Sequence, residues 1–383
     1  MHRIYLDHAS TTPPDPEVRE AMRPFLEDRF ANPSSPHGRG AAARRAIDEA
    51  REAIAGLLGY PAGEIVFTGS ATEANNLALK GVALASAGRR HLVAPATEHS
   101  SILHPLRTLE RQGFRVTLLP VDRDGLIDAD DLRAALARDT LLVSAGHASG
   151  EIGTLQPLAE ICRVAHGRDL PVHADATLTA GLLPWADGED RPDLVTLTGH
   201  LMYGPQGVGA LRVRQGIRIA PLIEGGVQEG GLRAGTEAVA SIVGFGVAAR
   251  RAAAEMGRRA ARASSLAGRL RRILLERVEG MVPTGHPSSR LPGHLSVCVR
   301  GLEAEALLQA LDDAGIEAAS GSPCTTGARK ASHVLEAIGV DPVLARGALV
   351  LSFGEANRED DPEAAGTILA EQIARLRALS PLP

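Results

Sequence analysis

Between residues 63 and 213 the chain alternates short β-rich runs with helical stretches, and this alternation constrains its fold more than any other feature. Strands separated by helical connections form a mostly parallel sheet covered by helices on both faces. The expected strands are residues 64–68, 91–95, 115–120, 140–146, 171–176, 194–199 and 207–213. Ile47, Ala50, Ile54 and Leu57 repeat at helical spacing ahead of the first strand, and Leu266, Leu270, Ile273, Leu274 and Val278 do so later. The later helix is expected to lead into a smaller C-terminal unit, where residues 295–299 alternate like a half-buried strand. At 383 residues the chain exceeds one ordinary core. The expected division is a large α/β domain at 15–255 and a small α+β domain at 256–383 that also takes in residues 1–14.

A hydrophobic share of 44%, a charged share of 23% and a net charge of −5 without a basic block argue against nucleic acid or an anionic membrane as partner. The first seven residues hold no apolar stretch of signal-peptide length. The most apolar window, 234–249, is interrupted by Thr236, Glu237 and Ser241 and falls short of a membrane span. Residues 251–267, rich in Ala and Arg, are expected to form an exposed helix. Three cysteines, Cys162, Cys298 and Cys324, follow no metal or disulfide spacing, so a reducing cytoplasm is the expected compartment.

In open α/β sheets ligands bind at the carboxyl ends of the strands, and the motifs of this chain fall there. Gly69-Ser70-Ala71-Thr72-Glu73 follows a strand and opens a helix, so its backbone N–H groups can hold a phosphate; the same turn also serves as plain structure. Cys324 lies in the Gly- and Ser-rich run Ala319-Ser320-Gly321-Ser322-Pro323-Cys324-Thr325-Thr326-Gly327, a setting suited to a reactive thiol. Cys162 and Cys298 sit in apolar runs and read as small core residues.

Several ordered segments together resemble the cysteine desulfurases, pyridoxal phosphate (PLP) enzymes of the class V aminotransferase family. They run from Tyr5-Leu6-Asp7-His8-Ala9-Ser10-Thr11-Thr12-Pro13 through Asn32-Pro33-Ser34-Ser35 to Ser352-Phe353-Gly354, nearly the whole chain. The resemblance implies the fold type I PLP-transferase architecture. It places Ala71 and Thr72, with Thr198 and His200, at the cofactor phosphate, His99 on the ring and Asp175 at the pyridine nitrogen. Thr236, in Arg233-Ala234-Gly235-Thr236, matches a threonine that reaches the phosphate of a partner subunit, which implies a dimer. Cys324 matches the thiol that carries sulfur as a persulfide, and an inherited loop cysteine or an iron–sulfur cluster ligand would look the same.

Four positions depart from the family's pattern, and all belong to the amino-acid chemistry. In Thr198-Gly199-His200-Leu201-Met202-Tyr203-Gly204-Pro205, Leu201 stands where the family carries its cofactor lysine. A leucine has no amine to bond the cofactor. Gly150 replaces an asparagine, Leu178 a glutamine, and Val350 the arginine that grips the substrate carboxylate. Only two of the 41 Lys and Arg residues are lysines: Lys80, on a helix remote from the pocket, and Lys330, six residues past Cys324.

The sequence therefore carries three readings. The first is a catalytically degenerate desulfurase-like protein acting in sulfur transfer and iron–sulfur assembly, as a scaffold or as the inactive member of a homodimer or heterodimer. The alternative is an active cysteine desulfurase that holds PLP without a covalent bond. The third is a different reaction in the emptied pocket, metal-dependent or otherwise, with His99, His173, Asp175 and His200 as candidate ligands of a divalent metal, although these lack short ligand spacing.

Overall fold

A computed structural model describes residues 3–86, 88–185, 188, 190–321 and 332–379. The first strand, β1 (Ile4–Tyr5), stands apart from the main sheet. That sheet has seven strands: β2 (Ile65–Thr68), β3 (His91–Pro95), β4 (Arg115–Leu119), β5 (Thr140–Gly146), β6 (Val172–Asp175), β7 (Leu194–Thr198) and β8 (Gly209–Val213). Their spatial order is β2-β8-β7-β6-β5-β3-β4. β8 alone runs against its neighbours, and every other adjacent pair in the sheet is parallel. Each expected strand forms within two residues of its expected bounds. The reversal at β8 has a local cause: the short connection from Gly199 to Val208 folds back as a turn and leaves no room for a crossover.

Buried residues cluster on both faces of this sheet. Ile47, Ile54, Leu58, Val195 and Phe245 belong to one cluster, while Leu77, Leu92, Ile102, Leu106 and Leu142 belong to another. Both faces are apolar because parallel strands covered by helices on each side meet no water.

Three further strands, β9 (Met281–Pro283), β10 (His294–Val299) and the final β12 (Ala348–Ser352), form an antiparallel sheet with β10 in the middle. Between them in sequence lies β11 (Ile316–Glu317), which pairs in parallel with β1. β10 corrects one expectation, because it is buried along its whole length rather than on one face. Leu295, Val297 and Val299 pack with Leu266, Leu270 and Leu274, while Cys298 packs with Ile152, Val334 and Leu335.

One 39-residue helix, Val239–Arg277, contacts both sets of elements. It corrects a second expectation. Residues 251–267 are not simply exposed, since Ala252, Arg259, Ala263, Leu266 and Ala267 bury one face. Small alanines at helical spacing let the neighbouring elements approach closely, while Arg258 stays exposed. Among the described residues no helix is long and apolar enough to cross a membrane.

Candidate active site

The carboxyl ends of the main strands bring the sequence-selected residues together. β2 ends at Thr68, and Ser70 then caps the helix Ala71–Asn76 by accepting the Glu73 backbone N–H at 3.1 Å. Glu73 closes this turn from the other side, accepting the Gly69 N–H at 2.8 Å while Arg233 donates to it at 2.9 Å. β8 begins directly against the turn. A Cβ on Gly209 would lie 2.6 Å from the Ser70 carbonyl carbon and 2.8 Å from the Ala71 nitrogen, so only glycine fits there. Ala71 and Thr72 thus open the helix on a turn held rigidly in place.

Asp175, the last residue of β6, is held on both oxygens. The Thr177 backbone N–H donates to Oδ1 at 3.0 Å and the Asn75 amide to Oδ2 at 2.7 Å. The same amide donates to Ser101 Oγ at 2.8 Å, and Ser101 Oγ lies 2.8 Å from His99 Nδ1. His99 in turn caps the helix Ser100–Arg111 and leaves its ring exposed. His99 and Asp175 are therefore joined through Asn75 and Ser101, two residues that sequence reasoning did not single out. The Asn75-Asn76 pair five residues past Ser70 was the available signal.

Thr198 and His200 flank the end of β7. The Thr198 hydroxyl turns back to the Val208 carbonyl at 3.4 Å, and His200 Nδ1 lies 3.2 Å from Thr11 Oγ1. Thr12 completes the seam: its hydroxyl donates to the His200 carbonyl at 2.7 Å and accepts the Tyr203 N–H at 2.9 Å. The Thr11-Thr12 pair therefore holds the loop that presents Leu201. Burial lowers the His200 pKa.

Leu201 and Leu178 line one cavity, together with His8, Tyr203, Arg259 and His294. Leu178 also leans on Gly150, where a Cβ would lie 3.4 Å from its Cδ1. Val350 is buried on β12 opposite Ser296 and exchanges backbone hydrogen bonds with Ala319 at 2.7 and 3.2 Å. Leu201 and Leu178 thus meet at one cavity, Gly150 lies beside Leu178, and Val350 is packed into the small sheet. His8 is buried, and burial pulls its pKa down to about 4 against the opposing pull of Asn357.

Two buried carboxyls complete the surroundings. Glu98 accepts the Gly146 N–H at 2.6 Å, and burial pushes its pKa up to about 8, with the nearby Asp175 charge adding to the rise. Glu151 bonds the Ser332 hydroxyl, and burial pushes it up to about 7. Neither stood out in the sequence, because each owes its character to burial.

Thr236 is exposed on a loop that Arg233 ties to Glu73 and that Glu237 ties to Arg44 at 2.7 Å. Lys80 lies in the π-helical turn Leu77–Gly81 and is not among the residues lining the Leu201 cavity. Cys324 and Lys330 lie outside the described residues. Cys162 and Cys298 are buried as expected, and burial pushes their thiols up to about 12 and 11. The metal reading is corrected. His173 spends both ring nitrogens inside the sheet, on Ser144 at 2.9 Å and Thr196 at 3.0 Å, and the described residues contain no cluster of three ligands.

The fold and this site are those of a known class. The family model for class V aminotransferases matches residues 4–364. The cysteine desulfurase IscS of Dictyoglomus turgidum is 43% identical over 99% of this chain and 96% of its own length; IscS 1 of Archaeoglobus fulgidus is 43% identical over 99% of each. A solved NifS-like protein superposes with a TM-score of 0.92 at 33% identity, covering 97% of this chain and all of that one. A NifS-like protein from Rickettsia africae gives 0.88 at 30% identity over the same shares. The chain belongs to the class V aminotransferase family, within its cysteine desulfurase branch.

The cofactor of this family is PLP. The residues present fit it in part: Asp175 is held ready for a ring nitrogen, and the turn at Ser70 presents a helix start. They do not fit a covalent attachment at the loop after β7, where Leu201 offers only carbon.

Proposed function

We propose that this chain is a cysteine desulfurase-like protein of sulfur transfer and iron–sulfur cluster assembly that has lost the amino-acid chemistry and acts as a scaffold or as the inactive member of a dimer. The observation that carries this reading is Leu201 lining one cavity with Leu178, where neither side chain can donate, accept or carry a proton. Relatives named as cysteine desulfurases over nearly the full length support the sulfur-transfer setting.

In this reading Ala71, Thr72, Thr198 and His200 hold the phosphate of PLP, His99 covers its ring and Asp175 keeps its nitrogen protonated. The cofactor, when bound, supplies an electron sink. Thr236, exposed on its anchored loop, reaches a partner subunit, either a second copy or an active desulfurase. Cys324 serves as persulfide carrier or cluster ligand toward an acceptor or scaffold protein in the cytoplasm. The division into domains at 15–255 and 256–383 with 1–14 belongs to the same proposal.

A second reading, an active desulfurase using PLP without a covalent bond, is favoured by the two donors that preset Asp175. It lacks the lysine base, and a positioned base contributes roughly 10²- to 10⁴-fold in rate.

One experiment separates the two readings: absorbance of the purified protein with added PLP, borohydride treatment with peptide mapping, and sulfide release from cysteine. The degenerate reading expects no borohydride-fixed cofactor and no sulfide, with the fixed cofactor restored in Leu201→Lys. Sulfide release by the unaltered chain, or cofactor fixed on Lys330, overturns it.

A further inference from the structure

The hydrogen bonds at the start of the helix Ser100–Arg111 have a fixed direction, and they decide where His99 carries its ring proton. A backbone N–H can only donate, so the Ser101 N–H, 3.1 Å from His99 Nδ1, makes that nitrogen an acceptor. The neutral imidazole holds a single proton, which therefore sits on Nε2. The His99 carbonyl accepts the N–H groups of Ile102 and Leu103 at 2.9 and 3.1 Å, so the residue cannot turn away from this arrangement without giving up its place as the cap.

The side chains behind the ring repeat the same polarity. The Asn75 amide donates one hydrogen to Asp175 Oδ2 at 2.7 Å and the other to Ser101 Oγ at 2.8 Å. A carboxylate only accepts, which sets the orientation of the amide. Ser101 Oγ, already accepting, turns its own hydrogen onto His99 Nδ1 at 2.8 Å. Two donors from one residue thus converge on Nδ1. Asn75 and Ser101 are buried, while His99 is exposed with Nε2 across the ring from them.

We propose that Ser101 is a positioning residue that locks His99 in its Nε2–H form, so that His99 meets what binds beside it as a hydrogen-bond donor and cannot stand in as base for the lysine missing at Leu201. A base needs a lone pair aimed at the proton it takes. Nε2–H has none to offer, and the lone pair of Nδ1 is spent on Ser101. The partner chemistry that suits such a donor is an oxygen acceptor, as on a carboxylate or a phosphate. The proposal rests on the reading that His99 lies at the cofactor ring, and it adds which atom of His99 carries the proton there.

Labelling histidine with ¹⁵N and recording long-range proton–nitrogen correlations at pH about 9, above the ordinary imidazole range, reads the proton position directly. The His99 signals are those lost in His99→Gln. The unaltered protein should show a protonated Nε2 and a bare Nδ1. Ser101→Ala removes the hydroxyl and keeps the backbone N–H, so it should raise the ratio of the Nδ1–H form to the Nε2–H form about fivefold, the size of one ordinary hydrogen bond. Ser101→Thr, which keeps a hydroxyl, should leave that ratio unchanged. A merely structural role for Ser101 would alter stability and leave the ratio where it was.

A second readout is exchange of the α-hydrogen of alanine in heavy water at saturating PLP, which the unaltered chain should not raise above the rate with free PLP. A proton on Nδ1 in the unaltered protein overturns the proposal, as does a ratio unmoved by Ser101→Ala. Exchange above the free-PLP rate that is lost in His99→Gln overturns it too. Exchange that survives His99→Gln supports His99 as a donor and overturns the degenerate reading instead.

Discussion

Leu178 occupies the space beside Gly150: a Cβ built on Gly150 would lie 3.4 Å from the leucine Cδ1. The two departures from the family pattern are therefore a packed pair. Gly150 is otherwise open, so a side chain there meets Leu178 at contact distance without having to displace it. Gly150→Asn should cost less than about 1 kcal/mol, and its effect should couple to that of Leu178→Gln by about 0.5 kcal/mol or more in the double variant. Urea denaturation of the two single variants and the pair checks this, and additive effects would contradict it.

The Asn75 amide, fully buried, bonds both Ser101 and Asp175. Asn75→Ala should cost about 1–3 kcal/mol of stability, since it leaves a partly buried Asp175 oxygen without its donor. A denaturation midpoint equal to that of the unaltered protein would show that water replaces the amide without loss.

Buried titrating groups pull the pH dependence in opposite directions. Glu98 has its folded pKa raised from 4.5 to about 8. The unfolded chain gives up that proton first, so the stability Glu98 contributes is full below 4.5 and lost as pH rises toward 8. His8 has its folded pKa lowered from 6.5 to about 4, so the unfolded chain takes up a proton first and stability is lost as pH falls through that window. Glu98→Gln should therefore gain on the unaltered protein as pH rises between those limits, and His8→Gln should gain as pH falls between its own. Each difference should change by up to about 1.4 kcal/mol per pH unit. Flat difference curves from denaturation at several pH values would refute these assignments.

Thiol labelling should discriminate among the cysteines. With pKa values pushed up to about 12 and 11, Cys162 and Cys298 hold almost no thiolate at pH near 8, and both are fully buried. Native maleimide treatment should leave Cys162 and Cys298 unlabelled, and denatured protein should take three labels. Native labelling of Cys298 would contradict the closed core around β10.

The strands were legible because a buried parallel strand leaves an apolar run of its own length, as His91–Pro95 and Leu194–Thr198 do. The direction of β8 was not, because the reversal depends on the turn that follows β7. The burial of β10 on both faces was also hidden, since the alternation over 295–299 reads as half-buried while the fold also covers Ser296 and Cys298. Motif order located His99, Asp175 and Leu201, which the fold brings to the strand ends. Asn75 and Ser101, which link His99 to Asp175, and the buried carboxyls Glu98 and Glu151 gain their roles only from packing between distant segments.

The pairing of Ile4 and Tyr5 with Ile316 and Glu317 orders events during synthesis. The first strand leaves the ribosome long before its partner exists, while the main sheet, complete by Val213, can assemble in the meantime. Ile4 and Leu6 are both buried among residues of the far end of the chain, so they stay uncovered until that end arrives. A nascent chain halted before residue 316 would carry this apolar hook exposed, ready to be caught by a chaperone or by another unfinished chain.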